Sequence, residues 1–130
     1  MTFNDPLANM YSHILNSEKI GKKECVIKPV STFMKENLRL LKEKGYIEDY
    51  QETVDNKGNV LIIKLNGRIN KCNVIKPRFS VKVDNYEKFE KRFLPARNFG
   101  ILLVSTPKGL VAHETAKEQH TGGRLVAFCY

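Results

Sequence analysis

Three histidines, three cysteines and a set of carboxylates are the residues of this chain able to move a proton, attack an electrophile or hold a metal. His113 and His120 stand seven residues apart on a predicted helix and its edge, a spacing that gives no shared ligand face, and His13 is isolated near the N-terminus. Cys25, Cys72 and Cys129 form no CxxC pair, so a structural zinc cluster and a disulfide framework both lack their spacing. An odd number of scattered thiols points to a reducing compartment, and each reads as a buried small hydrophobe rather than a nucleophile. Glu114 and Glu118 are an i, i+4 pair with Lys117 between them, the pattern of a solvated helix face. The expectation is a protein with no catalytic residue, no metal and no cofactor.

Two other stretches carry a different chemistry. STPKG (105–109) follows an apolar run and offers the hydroxyls of Ser105 and Thr106, the cation Lys108 and the unhindered backbone of Gly109. It lacks the GxxxxGK[ST] pattern of a nucleotide-hydrolysing loop. TGGRL (121–125) repeats the recipe with Thr121, Gly122, Gly123 and Arg124. Hydroxyls and bare backbone at a strand end donate hydrogen bonds to phosphate or to a ribose 2′-OH, and a nearby cation adds charge. Two such turns in one segment predict contact with nucleic acid.

The charge pattern agrees. Net charge is +8, which favours a polyanionic partner. Residues 1–65 hold 10 Lys and Arg against 9 Asp and Glu, whereas residues 66–130 hold 12 against 5. Residues 56–83 contain no acid at all and carry Lys57, Lys64, Arg68, Lys71, Lys76, Arg78 and Lys82. Within that run, GRINKCNVIKPRF (67–79) interleaves cations with apolar residues in the manner of a strand-bearing face whose charges project outward.

The elements that must position these groups follow from local signals. Asn4-Asp5-Pro6 opens a helix with apolar residues from Leu7 to Leu15, broken by Gly21. ECVIKPV (24–30) is a short edge strand, and Ser31 or Thr32 caps a second helix that ends at Gly45. IEDYQETV, DNKGN and VLIIKLN form a hairpin. Beyond residue 67, VIKPRFSVKV and FGILLVST are strands, DNYEKFEKRF and AHETAKEQH short helices, and RLVAFCY the final strand. The predicted class is α+β in two small lobes: an N-terminal α/β lobe with a hairpin at 1–67, and a mainly antiparallel β lobe with short helices at 68–130. No apolar run is long enough for a membrane span, and the N-terminus lacks signal-peptide character, so an intracellular, cytoplasmic protein is expected.

Asp5-Pro6-Leu7-Ala8, GRINKCNVIKPRF, RFLPARNFGILLVST followed by Lys108-Gly109, and GGRLVAFCY resemble, in that order and from end to end, the archaeal and eukaryotic form of the eighth protein of the small ribosomal subunit. The resemblance implies a two-lobe structural protein that binds the central domain of small-subunit ribosomal RNA directly, supports its assembly, and lies beside other small-subunit proteins, with no membrane and no small-molecule substrate. It further implies that the turns at Ser105-Thr106 and Gly122-Gly123 face an RNA minor groove, and that Asp5, Pro6 and Lys28 touch a second RNA segment. Combined with the charge reading, it assigns positioning on phosphates to Arg68, Lys71, Arg78 and Lys108. Arg124 stands where bacterial members carry an acid. Pro107 replaces a serine common in the family, and Asn73 a glycine, which asparagine tolerates in a left-handed backbone. A free-standing repressor of messenger RNA shares this surface, and a small basic RNA-acting enzyme using a histidine is the alternative of another class.

Overall fold

In the computed structural model, residues 6–28, 31–55, 58–76, 78–96 and 99–130 are described, and Asp5 and Pro29 lie outside them. The chain divides into two compact units at Lys71–Cys72. The first unit begins with helix α1 (Pro6–Lys19), whose Leu7, Met10, Tyr11 and Ile14 recur at helical spacing and are all buried. Strand β1 (Glu24–Ile27) alternates, burying Cys25 and Ile27 while Val26 faces outward. Helix α2 (Thr32–Glu43) starts where the Ser31 hydroxyl accepts a hydrogen bond from the Met34 N–H at 3.2 Å. It stops at Gly45, whose φ of +83° suits a residue without a Cβ. Its one buried amide, Asn37, accepts from the Tyr11 hydroxyl at 2.9 Å and donates to the Phe33 carbonyl at 2.8 Å, locking α2 to α1.

Strands β2 (Ile47–Asp55) and β3 (Gly58–Leu65) form the expected hairpin, and the antiparallel sheet runs β1-β3-β2. The first unit does not end at residue 67. The Glu18 carboxylate accepts the N–H groups of Gly67 at 3.3 Å and Ile69 at 3.1 Å, and Ile69 is buried. Arg68 and Lys71 therefore belong to the first unit, because a side chain 51 residues upstream holds the segment they sit on.

The second unit is a five-stranded antiparallel sheet: β4 (Cys72–Val74), β5 (Ser80–Val81), β6 (Ile101–Thr106), β7 (Gly109–Ala112) and β8 (Gly123–Cys129), in the order β4-β8-β6-β7 with β5 also on β8. A short 3₁₀ turn (Val83–Asn85) leads into α3 (Tyr86–Phe93), and α4 (His113–Glu118) follows β7. Tyr86, Phe89 and Ala116 from these helices pack with Leu102, Val104, Leu125 and Phe128 in one core. The run 67–79 is not one continuous strand. Among its described residues only Cys72–Val74 form a strand, so Lys71, Lys76 and Arg78 sit on connections, where exposed cations cost little. Asn73 lies in β4 opposite Phe128 and does not have the left-handed backbone expected for a glycine substitute. The fold is thus α+β in two lobes, as the sequence predicts.

Candidate nucleic-acid interface

β6 ends and β8 begins at the same end of the sheet, and this brings the two hydroxyl-glycine-cation turns together. Ser105 is the cross-strand partner of Arg124, and Arg124 is the partner of Ser80 on β5. All three are exposed, so a hydroxyl, a guanidinium and a second hydroxyl stand side by side on one face. Adjacent strands lie roughly 4.8 Å apart, which makes this row about 10 Å wide. Ser80 carries no motif of its own; only its pairing with β8 reveals it. Arg78 and Lys82, both exposed, flank β5.

The hairpin tip between β6 and β7 is closed by Thr106. Its hydroxyl accepts from the Lys108 N–H at 3.2 Å and donates to the Gly109 carbonyl at 2.7 Å. Thr106 is only 8% exposed, so its hydroxyl shapes the turn and leaves Ser105 as the outward hydroxyl. Pro107 occupies the first corner of this turn, where its fixed φ is favoured. Lys108 and Gly109 are exposed at the tip, and Gly109 has φ +124° with open space where a Cβ would stand.

Gly122 and Gly123 have a different reason for lacking side chains. A Cβ on Gly123 would stand 2.3 Å from the Ser105 carbonyl oxygen, and one on Gly122 2.5 Å from that of Val81. The missing Cβ atoms make room for β6 and β5, and this close approach sets the spacing of the Ser80–Arg124–Ser105 row. Of the remaining predicted contact residues, Pro6 is half-buried at the start of α1, and Lys28, Arg68 and Lys71 are exposed, all in the first unit.

Among the candidates for chemistry, His113, His120 and the three thiols are used in holding the fold. His113 is 3% exposed; its Nδ1 accepts the Leu102 N–H at 3.0 Å, and Nε2 lies 3.1 Å from the Glu90 carboxylate, which also takes the Lys117 ammonium. An acceptor Nδ1 fixes the neutral Nε2–H tautomer, so this ring continues the β6–β7 ladder past the end of the strand. His13 and His120 are exposed, and His120 adopts φ +52° to terminate α4, as its N–H reaches Lys117 and that of Thr121 reaches Ala116. All three thiols are buried; burial pushes the Cys25 thiol up despite a Ser17 hydrogen bond and the Lys22 charge. Glu114 and Glu118 are exposed on α4. Among the described residues no group of three His, Cys, Asp or Glu is placed to hold a metal, and no helix is long and apolar enough to cross a membrane.

A small two-lobe α+β protein with an exposed row of hydroxyls and cations at a sheet end, and histidine and thiols tied into its core, is built as a binding protein for a polyanion. The family model of ribosomal protein S8 matches residues 5–130, and the chain belongs to that family. It is thus a structural ribosomal-RNA-binding protein of the small ribosomal subunit, from a family that is not one of enzymes.

Proposed function

We propose that the chain binds the central domain of small-subunit ribosomal RNA directly in the cytoplasm and helps that domain assemble, with no catalytic step of its own. The observation that carries this reading is the cross-strand register that sets Ser80, Arg124 and Ser105 in one exposed row beside the Lys108–Gly109 tip. The deep groove of A-form RNA is closed to side chains, while its shallow minor groove displays 2′-hydroxyls and base edges. A flat row of short hydroxyls around one guanidinium fits that shallow groove. Gly122 and Gly123 hold the row at its spacing, and Thr106 holds the tip. Arg78 and Lys108 neutralise flanking phosphates, and Pro6, Lys28, Arg68 and Lys71 supply a second contact from the first unit, with Asp5 adjoining Pro6 in sequence. Neighbouring small-subunit proteins complete its surroundings.

Binding of the purified protein to transcripts of central-domain fragments, against an unrelated RNA duplex and across salt concentrations, tests the reading. One junction-containing fragment is expected to bind far more tightly than the duplex. If about five cations meet phosphates, log K falls with log salt at a slope of roughly −4. Equal affinity for every duplex would overturn it.

A further inference from the structure

Cys72 and Cys129 are far apart in sequence but directly opposed in the β4–β8 ladder. In an antiparallel pair, hydrogen-bonded and non-hydrogen-bonded positions alternate, and two independent observations fix which kind this is. Ile75 donates its N–H to the Val126 carbonyl at 2.9 Å, so the position three residues back along β4 is a non-hydrogen-bonded one. On the other side of β8, Leu102 turns its N–H away toward His113, so its partner Phe128 directs its own backbone groups to Asn73. That again leaves Cys72 and Cys129 as a non-hydrogen-bonded pair. Such pairs bring Cα atoms to about 4.5 Å with side chains on one face, within the roughly 4.4–6.8 Å that a disulfide spans. Both residues are buried, 1% and 0% exposed, and neither is in a disulfide. Cys25, in β1 of the first unit, faces Ile63 and has no thiol opposite it.

We propose that Cys72 and Cys129 are a dithiol site that closes to an intramolecular disulfide when a small-molecule disulfide is the oxidant. One cysteine thiolate attacks the small disulfide, forming a mixed disulfide and releasing one small thiol. The second cysteine thiolate then attacks the protein sulfur of that mixed disulfide and expels the other small thiol. Two cysteine thiols are oxidised, one small disulfide is reduced to two thiols, and the protons pass to solvent and the departing thiolates. β4 is a three-residue edge strand, and a short edge strand opens locally to admit the oxidant. The bond covalently ties the first residue of the second unit to its last strand and encloses Ser80, Ser105 and Lys108 in the closed loop.

The test equilibrates the full chain in glutathione buffers from fully reduced to fully oxidised, traps free thiols by alkylation and maps the peptides. A parallel set unfolded and refolded in each buffer removes burial as a kinetic obstacle. The expected product is a monomer lighter by two hydrogens, with Cys72 joined to Cys129, Cys25 alkylated, and Tm raised by roughly 10 °C until reductant reverses it. C72S is expected to show neither the link nor the rise; should it not fold, the wild-type map decides alone. Alkylation of both residues in the oxidised buffer, mixed glutathione adducts only, or a link through Cys25 would each overturn the proposal.

Discussion

Thr106 shows how surroundings decide what a hydroxyl is for. In sequence it is one of two adjacent hydroxyl residues before a lysine and a glycine; in the fold its oxygen is spent on the Lys108 N–H and the Gly109 carbonyl. Ser105, one residue earlier, alternates to the open face beside Arg124. Replacing Thr106 by Val keeps the shape and removes both bonds, and is expected to lower the unfolding free energy by about 1–2 kcal/mol, while Thr106→Ser stays close to wild type. Urea titrations of the two variants check this. Ser105→Ala is expected to leave the urea midpoint unchanged and to weaken binding to the junction fragment by about 1 kcal/mol. An equal effect of both residues on stability would mean that the outward and inward roles are wrongly divided.

At the scale of elements, local signals located most of the helices and the hairpin. Spacing of apolar residues, the Ser31 cap and Gly45 act within a few residues, so they are legible without a partner. The basic run 67–79 misled because a strand exists only where another strand accepts its hydrogen bonds, and β8 offers that at 72–74 and again at 80–81. α3 is anchored by Tyr86, which is buried and donates its hydroxyl to the Thr121 carbonyl at 2.9 Å, directly before the Gly122–Gly123 turn. Burial raises its phenol above the ordinary value near 10. As pH climbs past that ordinary value the unfolded chain loses its proton first. The contribution of Tyr86 to stability is therefore whole below about pH 10 and declines as pH rises toward the folded value. Tyr86→Phe is expected to cost about 1 kcal/mol at neutral pH and to flatten that alkaline decline, measured as Tm against pH. A decline as steep as wild type would place its origin elsewhere.

Across the whole molecule the division at Lys71–Cys72 changes how the charge is shared. The second unit has ten Lys and Arg against five Asp and Glu, and the first has twelve against nine, so both units carry an excess of cations. Because Arg68 and Lys71 are exposed in the first unit, R68Q/K71Q is expected to make the salt dependence of RNA binding shallower by roughly 1.5 while preserving the preference for the junction fragment. Fragment binding at several salt concentrations reads both quantities at once. A lost preference with an unchanged slope would reverse the roles assigned to the two units.

The order of elements, the basic character of residues 56–83 and the two hydroxyl-glycine turns are properties of neighbouring residues, so the chain determined them by itself. Pairing across distance decided the rest. The partnership of Ser80 with Arg124, the hold of Glu18 on residues 67–69, the fixed tautomer of His113 and the facing of Cys72 by Cys129 each join groups far apart in the chain. Register and burial, which arise only when the strands close on one another, select those partners.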